Sequence, residues 1–166
     1  MQGSSWQQAR LIPSAIAAED AAPRRRLADM RAILKRPADC ACFRIAPGDS
    51  NYFLLLADPI GDGVPWITVV EIFEPGGRTP PNSHSAAWES FVVLAGEGIA
   101  WSDGEAAPIR RGDMLMLHPG SEHVVENTGP GKLYCLTTMI PNEGFAELIR
   151  AGTKVTLDAD DLAVLA

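Results

Sequence analysis

From Cys40 onward the apolar positions fall in short runs rich in Val, Ile, Phe, Tyr and Trp: ACFRIA, NYFLLLA, WITVVEIFE, ESFVVLAGEGIAW, DMLMLH, HVVEN and KLYCLTTMI. Between them lie clusters of turn formers: APGDS, DPIGDGVP, EPGGRTPPNS, SDGEAAP, HPGSE and NTGPGK. Short, closely spaced runs punctuated by Gly and Pro predict an all-β sandwich or barrel of antiparallel strands. No helical period alternates with them, which disfavours a parallel α/β sheet. The texture differs at the two ends. Leu27, Met30, Ile33 and Leu34 follow helical spacing between Pro23 and Pro37, predicting an amphipathic helix over residues 24–35. After Pro141, FAELIRAG predicts a short helix ended by Gly152, and Asp158 or Asp160 is placed to cap a last one ending near Leu165. The expected organisation is an N-terminal arm and helix over 1–38, a β domain over 39–141 and a helical tail over 142–166, packed on the β domain.

Composition narrows the function classes. A chain of 166 residues suits one domain whose core holds without disulfides. The formal charge of -7 argues against a nucleic-acid partner, which needs a basic face. The basic cluster of Arg24, Arg25, Arg26, Arg31, Lys35 and Arg36 reads as the solvated side of the predicted helix. The N-terminal residues lack the basic and long apolar segments of a secretory signal, and no run approaches the ~20 apolar residues of a membrane span. Three cysteines without regular spacing do not make a disulfide framework. A cytoplasmic protein with no membrane partner is the expectation.

The candidate chemistry sits in two clusters. In GGRTPPNSHSAAWESFVVLAGEG, Asn82 and His84 are two residues apart and share a face on an extended strand. Glu89 opens the next apolar run, and a hairpin would fold it back toward them. In GDMLMLHPGSEHVVEN, His118 closes one strand and His123 opens the next across a tight turn. Two imidazoles and a carboxylate converging on one point suit a divalent transition metal.

These two clusters resemble the paired motifs of the cupin superfamily. The first motif is a Gly, five residues, His-x-His, four residues to a Glu and six to a Gly; here the positions are Gly76, Asn82, His84, Glu89 and Gly96. The second is a Gly, five residues, Pro-x-Gly, two residues to a His and three to an Asn; here they are Gly112, His118, Gly120, His123 and Asn127, with the proline displaced to Pro119. The resemblance implies a single jelly-roll-like antiparallel β-barrel with short N- and C-terminal helices. It also implies metal ligands at His84, Glu89 and His123, with Asn82 or water in fourth position. Asn82 departs from the family's histidine, so the set becomes two nitrogens plus oxygens. That mix favours Mn²⁺, then Fe²⁺, and leaves positions for a chelating substrate; the opposite reading is that Asn82 marks a site that has lost its metal.

Other residues carry alternatives. His118 either replaces the missing imidazole, acts as an acid or base beside the metal, or is an exposed turn residue. Phe91 and Val93 share Glu89's face and line the pocket. Trp88 has the opposite parity and is read as outer packing. Cys135, if its face points inward, is a candidate nucleophile activated by the metal's charge; otherwise it is a small buried apolar residue. Arg78, in the loop before Asn82, is a candidate for binding substrate phosphate or carboxylate, or a solvated loop residue.

Three functions compete: a metal-dependent enzyme on a small oxygenated substrate, a non-catalytic small-ligand module, and a metal-free structural or storage barrel. Reactions within the first include those of dioxygenases, isomerases, epimerases and decarboxylases. Chain length, the Asn82-Ser83-His84 departure and Cys135 also resemble the bacterial cupin family acting on 1-methylthio-xylulose 5-phosphate. That resemblance implies removal of a methylthio group by a thiol to leave 1-deoxy-xylulose 5-phosphate, with glutathione as a candidate thiol co-substrate. Exposed strand edges make a homodimer the expected assembly.

Overall fold

The computed structural model describes residues 32–165. Ten strands and three short α-helices follow in order: β1 (Cys42–Arg44), β2 (Asn51–Ala57), α1 (Pro59–Asp62), β3 (Ile67–Phe73), β4 (Trp88–Ala95), β5 (Glu97–Ser102), β6 (Glu105–Arg110), β7 (Met114–Leu117), β8 (His123–Asn127), β9 (Leu133–Ile140), α2 (Phe145–Arg150), β10 (Thr153–Val155) and α3 (Ala159–Leu165). All strand pairs are antiparallel, in a seven-stranded sheet ordered β10-β1-β2-β3-β9-β4-β7 and a three-stranded sheet ordered β6-β5-β8.

The seven runs read as strands all form strands, and the long one divides into β4 and β5 at Gly96. Gly96 has φ +86°, and a Cβ there would lie 2.6 Å from the Lys132 carbonyl oxygen, so only glycine fits this turn. Strand β6 was not expected: its EAAPIR sequence has little β propensity, and Pro108 is tolerated because β6 is an edge strand. DPIGDGVP, expected to be only a turn, holds α1, whose N-cap Asp58 accepts from the amides of Ile60 and Gly61. The predicted helix over 24–35 falls largely outside the described residues. Its described end, 32–35, is not helical, and a 3-10 turn follows at Pro37–Asp39. Both C-terminal helices form, and Asp158 caps α3 by accepting from the Asp161 amide at 2.9 Å.

Two covers close the inner face of the large sheet. At one end Ala100, Ile109 and Val125 of the small sheet pack on Phe73, Phe91, Val93, Leu117, Leu133 and Cys135. At the other, Ala146 and Ile149 of α2 pack on Phe43, Phe53, Leu55, Ile67, Val69 and Met139. Each fully buried Val, Leu, Ile, Phe or Met among them contributes about 1.5–3 kcal/mol. The outer face carries a third cluster under the tail, where Tyr52, Leu54, Val70, Ile72 and Tyr134 meet Val155, Leu157 and Leu165.

The sheets do not close into a barrel by continuous pairing. Segment 77–82 runs antiparallel to β8 and pairs with it through isolated backbone bridges at Arg78–Glu126 and Asn82–His123. Pro80 and Pro81 lack the amides that a full ladder requires. Asn127 pins this seam from below, donating to the carbonyls of Phe73, Glu74 and Gly131 and accepting from the Gly129 amide. The motif asparagine is therefore a structural anchor.

Candidate metal centre

Strand parity assembles the site. On β4, Glu89, Phe91 and Val93 are buried on the inner face, while Trp88 on the opposite parity is exposed. On β8, His123 opens the inner face, and its backbone amide and carbonyl pair with those of Asn82 at 2.9 and 3.2 Å. His84 lies in the loop before β4. Two contacts fix that loop: the Gly120 amide donates to the His84 carbonyl at 2.7 Å, and Glu143 accepts from both the Ser85 and Ala86 amides.

His84, Glu89 and His123 each offer one ligand atom, and these atoms lie within 4.8 Å of one another. Glu89 Oε2 is 2.9 Å from His123 Nε2 and 3.3 Å from His84 Nε2. Neither contact has hydrogen-bond alignment, so this buried oxygen is left without a hydrogen bond. The reason lies behind His123. Its Nδ1 is 3.1 Å from the Ser121 carbonyl, which can only accept, so the ring's hydrogen sits on Nδ1 and Nε2 presents a lone pair. A carboxylate lone pair then faces an imidazole lone pair, an arrangement that a cation between them resolves. The donor set therefore fits a divalent metal.

Without a cation the charges favour the alternative, an imidazolium facing the carboxylate, so a metal and a proton compete for this position. Burial alone would push the Glu89 carboxyl up, but the His123 and His84 rings outweigh it and hold it below its usual value. Burial would likewise lower His123, but Glu89 and the Ser121 carbonyl outweigh it and raise the ring above the ordinary histidine value. Asn82 lines the same cavity; its Nδ2 donates to the Pro80 carbonyl at 3.0 Å, leaving Oδ1 as the atom for a fourth position.

The triad lies in a cavity of about 570 Å³ whose other walls include Ile45, Phe53, Phe91, Phe145 and Leu148. Arg78 stands on its lining as expected, yet it is half exposed, 3.7 Å from Glu126 and 6.0 Å over the Trp101 ring.

Two expected catalytic residues are elsewhere. His118 is exposed, with its ring 4.2 Å from that of Trp88, and does not reach the triad group. It follows an inward Leu117, so its side chain takes the outer parity. Cys135 does face inward, but into the closed core between the sheets, fully buried, and it is not on the cavity lining. Burial first, then the charge of Glu71, raises its pKa, opposite to the activated thiolate expected.

Two residues were missed. Glu71 lies on the cavity lining, buried in the inner row Ile67, Val69, Glu71, Phe73 of β3. Burial raises its pKa to about 8; the Asn51 hydrogen bond opposes this, and Glu89's charge adds to it. The signal was a lone carboxylate inside the apolar run WITVVEIFE. Glu143 stands behind His84, its Oε2 4.0 Å from His84 Nδ1. It lies in another segment of the chain, and no local pattern ties it to the histidine.

The comparisons with known proteins meet this geometry. A family model described as Cupin domain matches residues 69–139. Over those residues the chain is similar to cupin domains. Among curated proteins, the oxalate-binding protein of Thermotoga maritima is 33% identical over 66 residues, covering 40% of this chain and 54% of that protein. An uncharacterized protein of Methanocaldococcus jannaschii is 30% identical over 83 residues, covering 49% of this chain and 66% of that one. The cupin match thus spans between half and two thirds of these relatives' lengths. Among solved structures, a predicted oxalate decarboxylase from Thermotoga maritima superposes with a TM-score of 0.60 at 23% identity, over 66% of this chain and 99% of that chain. That likeness is one of fold, the cupin double-stranded β-helix. No helix among the described residues is long and apolar enough to cross a membrane.

Proposed function

We propose that this protein is a cupin and a metal-dependent enzyme acting on a small oxygenated molecule, with His84, Glu89 and His123 as metal ligands and Asn82 Oδ1 or water beside them. The observation that carries the reading is the buried, unbonded Glu89 Oε2 facing two imidazole nitrogens. A mixed nitrogen and oxygen set suits Mn²⁺ or Fe²⁺. Such an ion supplies Lewis acidity to a carbonyl or carboxylate oxygen.

The protein's own residues do the remaining work. Ser121 holds His123 in the tautomer that aims Nε2 inward. Glu89 supplies negative charge, and the apolar walls offer surface against which a bound ligand can bury its own. A thiol-dependent removal of a methylthio group is not supported by this geometry, because Cys135 is fully buried outside the cavity with its thiol held protonated. Protein purified without chelators should carry near-stoichiometric manganese or iron, and His123→Ala should lose it. Absence of metal from both proteins would refute the reading. A non-catalytic ligand-binding role is the second reading, favoured by the oxalate-binding relative. It predicts that metal-loaded protein binds small acids and never consumes them.

A further inference from the structure

The cavity has a second polar point away from the triad. Glu71 on β3 and Asn51 on β2 both lie on its lining, and Asn51 Nδ2 donates to Glu71 Oε1 at 2.6 Å. A carboxyl in an otherwise apolar inner row is costly to bury. Asn51 serves one of its oxygens and leaves Oε2 for another partner. Burial favours the protonated form, and the Asn51 contact marks Oε1 as the acceptor, so the proton belongs on Oε2. Glu71 then presents an O–H donor to the cavity.

Walls and charge narrow what that donor meets. Ile45, Phe53, Phe145 and Leu148 make one side apolar. Arg78 is the cation on the lining and is already beside Glu126, a poor arrangement for a phosphate dianion. A volume of about 570 Å³ falls in the range of pockets that enclose far larger molecules than oxalate.

We propose that Glu71 is a substrate-binding residue and that the cavity takes a small 2-hydroxy or 2-oxo acid with an apolar arm. The acid's head would chelate the metal held by His84, Glu89 and His123, its remaining carboxylate oxygen would accept from Glu71 Oε2, and its arm would lie on Ile45, Phe53, Phe145 and Leu148. This inference rests on the metal-dependent reading above.

Calorimetric titration of Mn²⁺-loaded protein with oxalate, lactate and 2-hydroxy-4-methylpentanoate tests it. The branched acid shares lactate's chelating head and should bind roughly tenfold tighter or more, from the added apolar burial. Glu71→Met should weaken both hydroxy acids by roughly tenfold while Mn²⁺ still binds stoichiometrically, and Glu71→Gln, which keeps a donor, should recover most of the loss. Leu148→Asn, at a side chain already 52% exposed, should erase the preference for the branched acid and serves if the Glu71 variants do not fold. Equal affinity for the two hydroxy acids, oxalate binding tightest, or unchanged affinities in Glu71→Met overturns this inference alone. Failure of the wild type to bind Mn²⁺ overturns the metal-dependent reading, and this inference with it.

Discussion

Two buried carboxylates on opposite faces of the large sheet have opposite surroundings. Asp161, on α3, accepts from Tyr52 Oη at 2.9 Å, Tyr134 Oη at 3.0 Å, Lys132 Nζ at 2.9 Å and the Asp158 amide at 3.0 Å. Glu89, on the inner face, has two imidazole nitrogens within 3.3 Å and no hydrogen bond on Oε2. Both are costly to bury. The first is fully partnered by the chain itself and fastens the tail to the sheet. The second is left open toward a cavity, where a bound cation completes it. Full satisfaction marks a structural charge, and a preserved deficit marks one that waits for a ligand.

Breaking the closed side should give the largest effect. Asp161→Ala strips partners from Tyr52, Tyr134 and Lys132, and chemical denaturation should show a loss of about 3–5 kcal/mol. Metal content should stay unchanged, because the triad lies on the other face.

Completing the open side should come next. At about a hundred times its dissociation constant, Mn²⁺ should stabilise the wild type by about 2.7 kcal/mol, read as a rise in Tm. Glu89→Gln should show no such rise.

Glu71 sharpens the contrast through pH. Its folded pKa, about 8, lies above its unfolded value near 4.5, so the folded state holds the extra proton between them. Stability of the metal-free protein should therefore be greatest below about pH 4.5 as far as this group contributes, and fall as pH rises toward 8. Thermal melts across that window should show the slope flattened in Glu71→Gln. A slope identical in both proteins would contradict the assignment.

The smallest effect marks the edge of the site. His118→Ala should change stability by less than about 0.5 kcal/mol and leave metal content intact, since the ring is exposed against Trp88.

Much of this contrast was legible in the residues. Strand parity placed Glu89 and Phe91 inside and Trp88 outside, and the motif spacing brought Asn82, His84 and His123 to one cavity. The facing of Cys135 was left open by the sequence; the fold turns it inward, but parity does not say how deep along a strand the cavity reaches. The closed packing of Leu133, Phe73 and Val125 around Cys135 decides that. His118 stood next to the right turn on the wrong face. Glu71 was legible only as a lone carboxylate in an apolar run; its partner Asn51 comes from a neighbouring strand and joins it only in the fold. Glu143 was hidden by sequence distance, since it reaches the His84 loop only through the fold. The Asp161 hub was hidden likewise, since it joins α3 to Tyr52 of β2, to Tyr134 of β9 and to Lys132 just before that strand.

Anomalous diffraction from crystals grown with Mn²⁺ tests the central claim most directly. The account predicts one strong peak bonded to His84 Nε2, Glu89 Oε2 and His123 Nε2, inside the cavity. A cavity with no peak, with Glu89 Oε2 instead hydrogen-bonded to a protonated histidine, would contradict it.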